Sequence, residues 1–515
     1  MRSSLASPVW PGMPVEYSVQ TDRAGSGHLR YRYQVRHPDR DGFRLIRDFS
    51  PNPTLLWAAL DEGIYEMQVV SLDPASGDSV TASTWVEVVS PGREHPLVQG
   101  TAHPLVFVFS APACQDGGRM WVQFDTAGKA PRQTPAVPCD PERSRSFYLA
   151  GLRPNREYQA HFVVERDGTF RSGPTQSFFT REINLPAAPY DVLQTPPRSA
   201  GDDIIVQSPL SQLQIATDLW GEPVWYHASD IQTITRLEAG GTFWGLIQAP
   251  FGDATQQIVR EFDLQGLTVR ESNAERVNAQ LAAMGARPIT GFHHEARTLP
   301  DGNVVVLASV EQVLVDVQGE GPKSVIGDAI LVLNGDLQVV WFWDAFAHLD
   351  VRRPALFDEV CTPASGGCPP FYLLPEANDW THANSIQLTP DGDFLMSLRH
   401  LDWVIKIDYE NGQGSGEVVW RLGRDGDFAI RSLDPSPWFS HQHDAQYLSG
   451  DDTRIVVFDN SNWRHRADPN AQSRVQVWKL NESSRIAELE VSVDIASYSL
   501  ALGSVQRLPN GNFHA

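Results

Sequence analysis

The chain is short of positive charge and of long apolar runs. Lysine and arginine number 41 against 63 aspartates and glutamates, a formal net charge of -22 over 515 residues. Such an acidic surface excludes nucleic acid or an anionic bilayer as the main partner, because both are bound through dense positive charge. A site for an anionic substrate would then need local histidine and arginine against an unfavourable global field. No stretch approaches the ~20 apolar residues of a membrane-spanning helix, so no membrane insertion is expected. The first residues, Met1 to Pro8, lack the apolar segment of a secretory signal. Cysteine is also scarce. Four residues form two sequence-near sets, Cys114 with Cys139 and Cys361 with Cys368. An even count in loop-like contexts suits two disulfides and an oxidising compartment, with free thiols as the alternative. If the disulfides form, the missing leader is expected to reflect an incomplete or misannotated start.

What is present is a globular composition, 41% hydrophobic and 20% charged, long enough for roughly two to four domains. Residues 1–92 read as a β-sandwich: Leu29–Val35 and Gly63–Val70 alternate with period two, and turn residues separate such runs. Residues 93–181 repeat the pattern, with core strands at 105–109 and 159–164. The segment Gly151-Leu-Arg-Pro-Asn-Arg-Glu-Tyr158 resembles the tyrosine corner of fibronectin type III domains, in which the Tyr hydroxyl bonds back to nearby backbone.

From residue 182 the texture changes. A Pro-Asp/Asn-Gly-Asn/Asp hairpin recurs at 299–303, 389–393 and 508–512, with a looser copy at 448–452. Strands ending in Val-Trp recur at Trp225, Trp341, Trp420 and Trp478, where the indole is expected to be packing. A repeat of roughly 45 to 60 residues with several strands per unit is the mark of a β-propeller. The expected fold is all-β: a six-bladed β-propeller over 182–515, preceded by two fibronectin III/immunoglobulin-like β-sandwich domains. The blades fall at about 203–228, 230–272, 293–346, 382–422, 443–494 and from 503 on. Residues 347–381 form an excursion on the side of the polar clusters, and 272–284 reads as a short helix with a Ser272–Glu275 capping box. The last blade stops after barely more than one strand. The C-terminus is therefore expected to be truncated, or the blade completed by N-terminal propeller strands.

Three polar clusters stand ahead of these hairpins: Gly291-Phe-His-His-Glu295, Asp379-Trp-Thr-His-Ala-Asn-Ser385 and Trp438-Phe-Ser-His-Gln-His-Asp-Ala-Gln446. Aligned on the residue before each hairpin (299, 388, 448, 508), His293, His382 and Gln442 fall six before it. His294 and His443 fall five before it. Glu295, Asn384, Asp444 and Ser504 fall four before it. In a propeller this is the start of the innermost strand, where equivalent positions converge. The register thus predicts that His293 or His294, His382, Asn384, His443 and Ser504 share one pocket, with Arg399 on the next strand of the His382 blade. Histidines with an amide and an arginine suit a tetrahedral anion. A neutral histidine held at one ring nitrogen can attack with the other. Two rival readings remain. His441 and His443, or three histidines with Glu295, could hold zinc in a metal-dependent hydrolase or lyase. The chain could also be a non-catalytic secreted binding or adhesion protein. His441, His400, His465 and His514 are read as structural.

Four stretches carry a family resemblance: Asp379–Ser385 with Ser397-Leu-Arg-His-Leu401, Gly416-Glu-Val-Val-Trp-Arg-Leu-Gly423, Phe439-Ser-His-Gln-His-Asp-Ala-Gln446, and Gly503-Ser-Val-Gln-Arg-Leu-Pro-Asn-Gly-Asn512. Together, in order and spacing, they resemble the arylsulfotransferases over about 200–515. The resemblance implies an N-terminal β-sandwich and a six-bladed propeller, exported to the periplasm or outside the cell. It implies ping-pong transfer of a sulfuryl group from a phenolic sulfate ester to a phenol through a sulfohistidine, without 3′-phosphoadenylyl sulfate or any other cofactor. By motif the nucleophile is His443. His382 and Asn384 match the His-x-Asn pair, Arg399 the sulfate-binding arginine, and His293 or His294 the upstream histidine, with register favouring His294. The second sandwich departs from the family's bacterial members, and Asp444 after the nucleophile resembles a divergent branch. Cys361 and Cys368 match the disulfide near the family's active site only loosely in position.

Overall fold

Alternating apolar and polar residues become strand through most of the chain. The computed structural model describes residues 1–20, 28–37, 39–185, 204–209, 213–227, 230–249 and 253–515. It is all-β, 47% strand and 6% helix. Contacts divide it into two units, Met1–Ile247 with Val259–Asn273, and Gln248–Ile258 with Ala274–Ala515.

Among its described residues the first unit holds three apolar clusters. In Arg30–Arg36 the residues Tyr31, Tyr33 and Val35 turn inward, as period two requires, and pair antiparallel with Gly63–Leu72. They pack with Tyr17, Ile46, Met67 and Val88. The second core joins Phe109, Met120, Val122, Leu149 and Ala160. Beside it Tyr158 Oη accepts a hydrogen bond from the Arg153 amide at 2.8 Å, the corner geometry the sequence implies. The Cys114–Cys139 disulfide is formed. Strands Ile204–Gln207, Gln214–Asp218 and Pro223–His227 make a three-stranded sheet. Thr233–Glu238, Thr242–Ile247, Ile258–Asp263 and Thr268–Asn273 follow in order within the next. Trp225 is buried and stacks on Phe243 at 4.6 Å.

The second unit is built from sheets laid down in chain order. The first runs Ile289–Thr298, Val304–Val315, Pro322–Leu333, the last paired on to Val339–Asp344. Ala377–Asp379, from the predicted excursion, pairs parallel with Pro322–Leu333. The Cys361–Cys368 disulfide lies in the same excursion. The second sheet is a four-stranded antiparallel meander, Ala383–Leu388, Phe394–Leu398, Trp403–Ile407 and Val418–Gly423. The third repeats it with His443–Tyr447, Arg454–Asp459, Arg474–Asn481 and Ile486–Asp494. A short hairpin, Gln506–Arg507 with Phe513–His514, ends the chain. The Pro-Asp-Gly turns close as expected: Gly302 and Gly392 take φ of 87° and 93°, a region open to glycine without steric cost.

Adjacent sheets are tied at their first strands. The Gln387 side chain accepts from the Tyr447 amide at 2.7 Å, and Gln446 Nε2 donates to the Val505 carbonyl at 2.7 Å. Between the second and third sheets Trp420 and Trp478 are fully buried with Phe439, Tyr447 and Ile455. The expected helix is present as Ala274–Ala283, burying Val277 and Leu281. It lacks the expected capping box, because Ser272 lies within the preceding strand, Thr268–Asn273, and its hydroxyl has no hydrogen-bond partner among the described residues.

Replacing Trp478 with alanine removes a buried indole that stacks on Trp438 at 5.0 Å. The expected cost is about 3–5 kcal/mol, read as a lowered urea midpoint with unchanged slope.

Candidate active site

The three inner strands of the second unit each break register near their start. The breaks lie between Phe292 and Ala296, Ala383 and Ser385, and His443 and Gln446. His294 and Asp444 at the breaks, and His382 just ahead of its strand, adopt positive φ of 55°, 52° and 49°. An extra residue in one strand unpairs the ladder and re-aims a side chain. Non-glycine residues held at positive φ concentrate at functional sites. The result is a knot of imidazoles. Ring centroids of His294 lie 5.1 Å from His293, 5.2 Å from His382 and 6.5 Å from His443.

Carboxylates hold these rings from behind. Asp328 Oδ1 faces His293 Nε2 at 2.9 Å, and His293 Nδ1 meets His294 Nδ1 at 2.9 Å. The other Asp328 oxygen accepts from Thr381 Oγ1 and from the Ala383 amide at 2.6 Å, so one carboxylate joins the first two sheets. Asp379 Oδ2 holds His382 Nδ1 at 2.6 Å. The Asp379 carbonyl accepts His400 Nδ1 at 2.6 Å, which leaves His400 Nε2 to accept from Arg399 Nη1 at 2.5 Å. Cys361 Sγ lies 3.8 Å from Asp379 Oδ2, which brings the disulfide against this support. Asn384 Nδ2 donates to the Gln442 carbonyl at 2.7 Å.

His443 Nδ1 is 2.7 Å from Asn460 Oδ1, and its Nε2 accepts from the Leu502 amide at 3.2 Å. Burial lowers its pKa to about 3, with the Asn460 hydrogen bond opposing and the Arg399 charge reinforcing. Burial and neighbouring histidines likewise hold His294 and His400 well below the usual imidazole range. These rings are neutral at working pH, with the Arg399 cation beside them. Residues 499–502 run over the cluster. Leu500 O accepts from Arg399 Nη2 at 3.2 Å, and Asn460 Nδ2 donates to Ser499 O and Leu502 O, each at 2.9 Å.

The structure therefore brings together His293, His294, His382, Asn384, Arg399 and His443. Ser504 is not among them: it is exposed, and its neighbours Leu502 and Val505 are the ones whose amides reach in, to His443 and Asp444. His441 points away. It is fully buried between Asp402 Oδ1 at 3.0 Å and Glu359 Oε1 at 2.6 Å, and stacks on Phe357. Burial disfavours its charge, but the two carboxylate hydrogen bonds prevail and raise its pKa. The zinc set of three histidines with Glu295 does not assemble among the described residues. The groupings with ligand-like spacing are Glu359/His400/His441, Asp379/His382/His400 and Asp379 with the two disulfide cysteines. Disulfide sulfurs are not thiolate ligands, and His400 Nε2 already faces a guanidinium. Sequence reasoning missed Asp328, Asp379 as a clamp, Asn460, and His400 as the partner of Arg399. Asp328 did leave a signal, one acid inside the apolar run Val325–Leu333.

The profile of the arylsulfotransferases (Arylsulfotransferase, ASST) matches residues 190–514. The chain belongs to the arylsulfotransferase family. That assignment supports sulfotransferase activity in general and a small-molecule substrate. No curated protein matches this arylsulfotransferase chain. Among solved structures it is similar to the chicken CNTN1 FN1–FN3 domains, at 11% identity over 34% of this chain and 63% of that one, TM-score 0.15. It is also similar to a segment of two fibronectin type III domains from chicken tenascin, at 13% identity over 35% and 98%, TM-score 0.15.

A folded pKa raised above the ordinary imidazole value of 6.5 means that the stabilisation from His441 is fully present below about pH 6.5 and is lost as pH rises through the folded value. His441→Asn is expected to cost on the order of 3 kcal/mol at about pH 6 and less at about pH 9, measured by urea unfolding at both pH values.

Proposed function

We propose that this chain transfers a sulfuryl group from a phenolic sulfate ester to a phenol, by a ping-pong route through a sulfohistidine on His443, without 3′-phosphoadenylyl sulfate. The observation that carries the reading is the pinning of His443: Nδ1 faces Asn460 Oδ1, and Nε2, which accepts from the Leu502 amide, keeps its lone pair in a ring 6.5 Å from that of His294. A ring held in this way is a nucleophile and, once loaded, a leaving group.

The sulfate of the donor binds against Arg399, with Asn384, His293 and His294 lining the same space. Arg399 is oriented by His400 and so presents a fixed fork of donors. His443 Nε2 attacks sulfur in line, the new N–S bond forms, and the S–O bond to the aryl group breaks. His382 serves as general acid and base. With Nδ1 committed to Asp379, its Nε2 gives a proton to the departing phenolate and takes one from the incoming phenol. The phenol oxygen then takes the sulfuryl group, and neutral His443 is restored. Each electron pair and proton is returned within one cycle, and the only co-reactants are the two phenolic compounds.

For the architecture we propose two sandwich domains, 1–92 and 93–181, and a six-bladed propeller over 182–515. Support comes from the successive meanders, the recurring hairpins and the first-strand ties between neighbouring sheets. The two disulfides favour a periplasmic or extracellular location.

His443→Asn is expected to abolish transfer from p-nitrophenyl sulfate and to prevent sulfur-35 labelling of the protein by a radiolabelled aryl sulfate. Full turnover in that variant would sink the assignment. Arg399→Ala is expected to lower kcat on the order of 10²–10³-fold, measured under saturating donor.

A further inference from the structure

A neutral imidazole has one N–H and one lone pair, and which nitrogen carries which decides where His443 can react. Asn460 follows the strand Arg454–Asp459, beside the His443 strand in the same sheet. Its Nδ2 donates to two carbonyls, Ser499 O and Leu502 O, each at 2.9 Å. Two acceptors at that end leave a single sensible amide orientation, with the oxygen toward the ring at 2.7 Å. An amide oxygen only accepts, so the proton sits on Nδ1. The His441 carbonyl, 3.2 Å from Nδ1, requires the same, and the Leu502 amide donating to Nε2 at 3.2 Å requires a lone pair there.

We infer that Asn460 is a positioning residue for sulfuryl transfer: its carboxamide locks His443 in the Nδ1–H tautomer and keeps that proton in place through the sulfated intermediate. The inference rests on His443 being the residue that takes the sulfuryl group.

The choice of a neutral amide matters for the second half of the reaction. When Nε2 bonds to sulfur and the aryl oxygen departs, the ring keeps its Nδ1 proton and becomes cationic. A cationic ring releases its group readily, because the N–S bond pair returns to give a neutral imidazole. Asparagine cannot remove the Nδ1 proton. A carboxylate in its place would accept that proton, neutralise the ring and make the intermediate longer-lived. The charged and titratable groups that face His443 are Arg399 and His382 from the second sheet and His294 from the first. Asp444, the adjacent acid, accepts from the Val505 amide and from Gln446. With burial, Arg399 and His382 disfavour a charged free ring, so the resting nucleophile is neutral across the working range.

The test uses the full chain with Asn460→Asp and Asn460→Ala, each checked for a wild-type melting transition. In Asn460→Asp the acidic limb of the kcat/KM–pH profile is expected to move up by about 1–3 pH units, since an opposite charge now favours the imidazolium. The sulfur-35 label on the protein should also decay more slowly without acceptor. In Asn460→Ala, kcat should fall on the order of a hundredfold with KM little changed. Nitrogen-15 NMR of labelled histidine should show the single Nδ1–H tautomer of His443 giving way to a mixture. Wild-type pH profile, label lifetime and tautomer in both variants would overturn the inference while leaving His443 as nucleophile. Absence of label on His443 in the wild-type chain, with the tautomer responding as described, would instead overturn the transfer reading and with it the role of Asn460 in transfer.

Discussion

Asp379 takes His382 Nδ1 on its carboxylate and His400 Nδ1 on its carbonyl, each at 2.6 Å, and through His400 Nε2 it directs the Arg399 guanidinium. One residue thus sets the direction of two imidazoles and one cation. It is itself held by a parallel pairing with Ile326 and by its amide, which donates to the Glu359 carbonyl at 2.9 Å. Asp328, one strand away, does the same for His293 and for the chain entering the second sheet. Most of these rings are held by bonds to backbone as well as to one another, while Asp379 Oδ1, Asn384 Oδ1 and Arg399 Nε are buried with no hydrogen-bond partner among the described residues.

The arrangement answers the charge problem set by the composition. A chain with a formal charge of -22 disfavours anions at long range, but burial decides what happens locally. His294, His400 and His443 are kept neutral by burial, while Arg399 supplies the positive charge. His441, two residues from His443, is driven the other way by its two carboxylates. The same residue type in one loop is held neutral by burial at His443 and pushed toward its charged form at His441, between Asp402 and Glu359.

Much of this was legible before any coordinates. Period-two alternation located strands such as Arg30–Arg36, and the Pro-Asp-Gly turns located the hairpins, because both signals are local. The repeat register groups His294, His382, Asn384 and His443, and in the structure these strand starts sit side by side. It failed at Ser504. There the hairpin is preceded by a segment without a full inner strand, so counting back from Leu508 no longer reports position along a ladder. Asn460 and the Leu502 amide were invisible for another reason. Their contribution depends on a side chain's orientation and on a backbone N–H, neither of which leaves a mark in residue type. The bulges that aim the rings were also hidden, because positive φ at histidine is imposed by tertiary contacts and has no local sequence signature.

The run from Ser499 to Leu502 has a thermodynamic consequence. Its Leu500 carbonyl accepts from Arg399 and its Leu502 amide donates to His443 Nε2, the two groups that the proposed reaction assigns to an incoming sulfate ester. On that proposal a donor binds against this internal occupant, and its apparent affinity is its intrinsic affinity scaled by the fraction of molecules in which the run has let go.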